Sequence, residues 1–323
     1  MSNSSNISDS FTFRDYIAVA SFTVLTLEGV VQIVGNGLIM IAIARSKKLH
    51  SAEYCLPFGL AMADFITGVS LLSSGIDRLS VYLRRELLIM TTRLRCLLRP
   101  YVLGFILCFF ANPSMLLAIS IDRCLALKDV TKYHKASIRK HVYSIVLIFI
   151  GSLIMVALAV VVTVSTVGQE LVSSICFTSV GMVRWFHLFA EYWYFGLGFL
   201  SVVVYGYAWH LLQQLKALVV EANLKTAHER QVRVTKLLVI VVVSTFFLQT
   251  IPFAVKSSAL SLGMTRQAFE YLNQACWAVI NANNGINIVI YMVKSKEIRS
   301  AIVSTARMGK ISSVTKVTSV AKP

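Results

Sequence analysis

Seven apolar runs, each long enough to cross a bilayer, constrain this chain more than any other feature. They cover roughly residues 18–44, 55–75, 100–124, 142–166, 186–211, 236–258 and 270–292. A hydrocarbon core about 30 Å thick needs about 20 mainly apolar residues in helical form. Backbone facing lipid must satisfy its own hydrogen bonds, and a helix does so within one segment. Pro113 and Pro252 fall inside the third and sixth runs; neighbouring helices re-satisfy the carbonyls such prolines free. Of 323 residues, 56% are hydrophobic and 14% charged, against about 25% charged in a soluble domain. Too few charges remain to cover a soluble surface. The expected fold is an all-α membrane protein, a seven-transmembrane helix bundle without internal repeats.

The net charge of +16 would suit nucleic acid, but the basic residues lie between the apolar runs rather than on one face. A membrane protein with no nucleic-acid partner accounts for that placement better. With the N-terminus outside, 21 of the 31 Lys and Arg residues fall on the cytoplasmic side, as the positive-inside rule requires. Six arginines in the first outer loop (Arg78, Arg84, Arg85, Arg93, Arg95, Arg99) weaken that bias without reversing it. The first apolar run is too long for a signal-peptide core and reads as an uncleaved signal anchor. Asn3 and Asn6 open N-x-Ser triplets, candidate glycosylation sites on an external N-terminus. The expected organisation is an extracellular segment 1–17, a membrane domain 18–292, an amphipathic juxtamembrane helix 293–308 and a disordered cytoplasmic tail 309–323. The juxtamembrane stretch spaces Ile298, Ala301 and Ile302 among Lys296, Arg299 and Arg307, a pattern suited to an anionic inner leaflet. The plasma membrane is the expected location.

Polar side chains at membrane depth are costly and demand partners. Asn36 lies in the first run, Asp64 in the second, Asn112 in the third, and Asn281, Asn283, Asn284 and Asn287 in the seventh. One carboxylate at the same depth as amides on three other helices predicts a converging cluster. Interhelical hydrogen bonding alone would account for it. So would a hydrated switch with a sodium ion at Asp64; no other cofactor is expected. Asp122-Arg123 stands at the inner end of the third run, where an arginine reaches the polar face. The six cysteines contain no CxxC pair and give no zinc pattern.

Taken together, these residues resemble the rhodopsin-like G-protein-coupled receptors over about residues 18–305. Gly35-Asn36 is similar to the family's helix 1 motif, and Leu60-Ala61-Met62-Ala63-Asp64 to LAxAD in helix 2. Asp122-Arg123-Cys124-Leu125-Ala126-Leu127, with Tyr133 ten residues after the arginine, is similar to DRYLAI and its following tyrosine. Phe246 and Pro252 fit FxxxWxP, and Asn287-Ile288-Val289-Ile290-Tyr291 fits NPxxY. Cys124, Val130, Thr250 and Ile288 depart from the family's tyrosine, loop proline, tryptophan and proline. Helix 4 lacks its tryptophan and helix 5 its proline. These loosened motifs, with Arg45-Ser46-Lys47-Lys48-Leu49 after helix 1, resemble nematode serpentine chemoreceptors of class SX.

The resemblance implies a receptor, not an enzyme, that converts an extracellular chemosensory small molecule or peptide into activation of a heterotrimeric G protein. Asp122, Arg123, Tyr133, Pro252, Asn287 and Tyr291 would form the activation switch, with Tyr205 or Tyr207 swinging towards Arg123. Asn36, Asp64, Asn112, Asn283 and Asn287 would form the polar core. The usual acidic partner on inner helix 6 is replaced by Val232, with Glu229 the nearest acid. An outer disulfide would join Cys96 to Cys176. Phe105 stands where amine receptors carry aspartate, and Asn281 where opsins carry lysine, which disfavours both ligand classes. Phe105, Glu191, Tyr192, Phe253 and Trp277 are the candidates for an outer ligand pocket, Glu191 foremost, because an ionisable group there should face the interior. A transporter or ligand-gated channel is the alternative; it would need a continuous polar path or paired broken helices, and the sequence offers neither.

Overall fold

The computed structural model describes residues 13–86, 89–128, 133, 138–218, 222–259 and 262–304. Asn3, Asn6 and the tail beyond residue 304 lie outside them. Seven helices of membrane-crossing length carry the fold. They are α1 (Phe13–Arg45), α2 (Ala52–Leu83), α3 (Pro100–Lys128), α4 (Ile138–Thr166), α5 (Arg184–Leu218), α6 and α7 (Arg266–Lys294). α6 is composite: an α-helix Ala222–Thr245, a π-turn Phe246–Thr250 and an α-helix Ile251–Ala259. α2 runs on to Leu83 and α6 begins at Ala222, beyond the apolar runs at 55–75 and 236–258. Once nucleated, a helix adds a hydrogen bond with each further residue and need not stop at the hydrocarbon edge.

α3 is the hub, packed against α2, α4 and α5, while α1 is flanked by α2 and α7. Outward faces stay apolar, as lipid requires: Leu147, Leu153, Ile154 and Val161 of α4 are all exposed. Between α2 and α3, β1 (Met90–Thr92) pairs antiparallel with β2 (Leu171–Ser173), Thr91 opposite Val172. The end of the bundle bearing this ribbon is the hairpin face. The opposite end, where α1 and α7 finish at Arg45 and Lys294, is the tail face. Beyond α7, residues 296–304 are helical, with Ile298, Ala301 and Ile302 buried.

Two apolar clusters fill the interior. The tail-side cluster contains Ile39, Leu60, Met115, Ile119, Leu238 and Ile298. The hairpin-side cluster contains Val102, Ile106, Phe110, Met182, Phe186 and Phe253. Asn112 falls between Phe110 and Met115 on α3, so a polar layer separates the two. α7 is unbroken through Ile288, which retains the N–H a proline would lack. Its side chain abuts Gly35, whose added Cβ would stand 2.9 Å from Ile288 Cγ2.

α1 and α2 meet backbone to backbone. A Cβ on Gly29 would stand 2.5 Å from the Leu72 nitrogen and 2.8 Å from the Gly68 carbonyl oxygen. One on Gly68 would stand 2.9 Å from Gln32 Cβ. Small residues let membrane helices approach this closely, and dispersion replaces a hydrophobic drive that lipid cannot supply. Gly29→Val should therefore destabilise the bundle by about 1–3 kcal/mol, the range for overpacking, seen as a lowered unfolding midpoint of the purified protein. Gly151→Val, at a glycine with nothing within 4 Å of its added Cβ, should be silent.

Candidate functional site

At the tail face, α3 presents Arg123 into the interior, 1% exposed. A buried guanidinium must be neutralised, and Asp122 beside it supplies the charge through Arg123 Nε to Oδ2 at 3.1 Å and a second contact from Nη2. Arg123 Nη2 also donates to the Tyr133 hydroxyl at 2.7 Å, and that hydroxyl donates onward to Asp122 Oδ2 at 2.9 Å. Burial pushes the Tyr133 phenol above its usual range, so it stays protonated and can donate. His141 of α4 places Nε2 2.8 Å from Asp122 Oδ1. α3, α4 and Tyr133 thus close on one carboxylate. Two further contacts involve α5: Cys124 Sγ of α3 donates to its Val204 carbonyl at 3.3 Å, and its Tyr205 hydroxyl donates to the Thr235 carbonyl of α6 at 2.9 Å. Tyr205 is buried and Tyr207 lies 58% exposed, so only the former faces Arg123's side of the bundle. Val232 is partly buried against the tail-side core; the Glu229 side chain lies outside the described residues.

In the middle layer, Asn287 Nδ2 donates to Asp64 Oδ2 at 2.8 Å. Asn112 donates to Thr67 Oγ1 and Asn283 to Thr245 Oγ1, each at 3.2 Å. Asn36 donates to the carbonyls of Gln32 and Asn284 at 3.1 and 3.4 Å. Five helices are joined this way. The Oδ1 atoms of Asn36, Asn112, Asn283 and Asn287 are buried with no donor among the described residues, and the Tyr291 hydroxyl is buried with no partner among them. Oxygen acceptors left over beside a carboxylate are the donor set of a hard monovalent cation or of bridging water.

Towards the hairpin face, Phe253 and Glu191 are buried, and Phe105 and Trp277 pack on the same apolar cluster. Tyr192 does not join them. It is 65% exposed on α5 and must be removed from the pocket candidates, because the neighbour of an inward residue on a helix turns about 100° away. Glu191 is ion-paired with Lys256 of α6, a basic residue near the end of the sixth apolar run. Lys256 is buried, its ammonium 4.9 Å from the Phe253 ring centre and 4.7 Å from that of Trp277. The signal was present: an acid in an apolar helix needs a cation, and Lys256 shares a helical face with Phe253 three residues earlier.

Three of the arginines counted in the first outer loop have protein partners. Arg78 is buried on α2, donates to the carbonyls of Ile175 and Cys176 at 3.3 Å each, and lies 4.6 Å from the Phe177 ring centre. Arg99 pairs with Asp77, which also accepts from the Tyr101 hydroxyl at 2.9 Å. Arg93 binds Glu170 at 2.6 Å and the Met182 carbonyl at 2.9 Å. These charges brace the loop around a Cys96–Cys176 disulfide whose Cα atoms are 5.2 Å apart. His141 is a further member of the Arg123 cluster that the motifs do not single out, although it sits one turn before the buried Ile145.

A curated relative, melanocortin receptor 5 of Mus musculus, is 30% identical over 134 residues, 40% of this chain. The chain spans about two-fifths of that receptor's length, 39%. The family model of the 7 transmembrane receptor (rhodopsin family) matches residues 35–291, most of the chain and every helix that holds the three clusters. A buried Arg123 at the end of α3, a joined Asp64–Asn287 layer and seven membrane-length helices therefore stand in a member of the rhodopsin family of seven-transmembrane receptors.

Proposed function

We propose that the chain is a plasma-membrane receptor that binds a chemosensory small molecule or a peptide at its hairpin face and activates a heterotrimeric G protein at its tail face. The hairpin face is extracellular in this reading, which the excess of Lys and Arg near the tail face supports. The observation that carries the proposal is the cage around Arg123. Asp122, Tyr133 and His141 hold the guanidinium against α3 and α4, and Tyr205 ties α5 to α6 beside it. Releasing Arg123 and parting α6 from α5 opens a cleft of the kind that receives an amphipathic helix. α6 is suited to that movement. Pro252 cannot donate to the preceding turn, and the π-turn Phe246–Thr250 lies just before it. Ligand binding shifts the balance between closed and open bundles only by its differential affinity for them.

The middle layer couples the two ends. Asp64 with Asn112, Asn283 and Asn287 would hold a sodium ion in the closed bundle, neutralising the carboxylate and occupying the leftover oxygens. Opening would disperse those oxygens and release it.

Arg123→Ala should abolish basal and ligand-evoked nucleotide exchange on co-expressed Gα subunits while surface expression persists. Undiminished exchange would remove Arg123 from the coupling machinery. Sodium chloride should stabilise the purified receptor relative to N-methylglucamine chloride by about 1 kcal/mol or more at concentrations several times the dissociation constant, seen as a raised unfolding midpoint. Asp64→Asn should erase the difference, and equal midpoints for the unaltered receptor in the two salts would refute the ion site.

A further inference from the structure

The Glu191–Lys256 pair joins α5 to α6 on the hairpin side of Pro252. Its side chains are 11% and 6% exposed, and its neighbours are aromatic. Phe253 and Trp277 face the ammonium, and Phe195 stacks on Phe253 with ring centres 5.4 Å apart. His187, one turn before Glu191, brings Nε2 to 3.4 Å from the carboxylate, while its Nδ1 is buried without a partner among the described residues. The group sums to zero charge with the imidazole neutral and contains one unused polar atom.

That charge balance restricts what can enter. A cation alone would take Glu191 and strand Lys256; an anion alone would take Lys256 and strand Glu191. Breaking a buried pair by satisfying one member leaves an uncompensated charge, which is far costlier than the pair itself. A ligand carrying both charges avoids this, because alternating its ammonium and carboxylate with those of the protein leaves four charges each facing opposites.

We propose that the Glu191–Lys256 pair is the recognition point for a zwitterionic ligand, an α-amino acid head group on an aromatic body. The ligand carboxylate meets Lys256, its ammonium meets Glu191, and its ring lies against Phe253 and Trp277. His187 Nδ1 is the polar atom left to read a substituent on that body. Inserting the head group parts Lys256 from Glu191 and so moves the hairpin end of α6 away from α5, above the π-turn. This assignment rests on the receptor function proposed above and names the ligand class of that receptor.

The test uses the full-length protein in lipid nanodiscs, with thermal unfolding read for L-tryptophan and L-phenylalanine against tryptamine and indole-3-propionate at matched concentrations. The two zwitterions should raise the midpoint, and the amine and the acid should not. The double variant Glu191→Gln/Lys256→Gln, which removes both charges together and leaves neither stranded, should stay monodisperse and bind L-tryptophan about a hundredfold more weakly. Exchanging the charges with Glu191→Lys/Lys256→Glu should restore binding with the head group turned around. No stabilisation by either zwitterion, equal stabilisation by tryptamine or indole-3-propionate, or an unaltered response in the double Gln variant would overturn the proposal. Because unfolding is read without G protein, absent binding alongside Arg123-dependent exchange sinks the ligand class alone. Binding without any such exchange sinks the receptor reading instead.

Discussion

Water is absent from the hydrocarbon layer, so each polar group there must find its partner inside the protein. The hydrogen bond from Asn287 to Asp64 is where that constraint presses hardest. A carboxylate at mid-depth forces α2 and α7 together, and the amides of Asn36, Asn112 and Asn283 extend the same requirement to α1, α3 and α6. Apolar packing above and below needs no particular register, since lipid solvates leucine as well as a neighbouring helix does. The polar layer does need one. It fixes which faces of those five helices point inward, and hence that Arg123 of α3 does.

The two ends then solve different electrostatic problems. At the tail face one carboxylate, Asp122, is shared among a guanidinium, a phenol and an imidazole, so three donors depend on a single acceptor group. At the hairpin side one ammonium and one carboxylate are matched, with aromatic faces around the cation. The first arrangement is crowded and the second is balanced. Crowding makes the Asp122 cluster sensitive to any change in donor position. Balance makes the Glu191–Lys256 pair resistant to singly charged intruders.

The helix count and the inward residues of α2, α3 and α7 are legible in the sequence because apolar length and isolated polar groups are local signals. Asp64, Asn112 and Asn287 each stand out against their neighbours without knowledge of any partner. Lys256 and Arg78 are not legible in the same way, since a basic residue near a helix end reads equally as a solvated charge or as a buried brace. Only the partner decides, and Glu191 is 65 residues from Lys256 in sequence. Tyr192 fails for the opposite reason: an aromatic residue suits lipid and pocket alike, and helical phase alone separates it from Glu191. His141 lies at the edge of the fourth apolar run, where its approach to Asp122 depends on how α4 docks against α3.

Ile288 has a consequence for how movement can travel. With every backbone N–H present along α7, that helix has no proline kink between Asn283 and Tyr291. A displacement at Tyr291 is then carried rigidly to Trp277 several turns away, and the reverse holds equally. α7 behaves as a single lever pivoting where Ile288 bears on Gly35, whereas its neighbour α6 combines a proline with a π-turn.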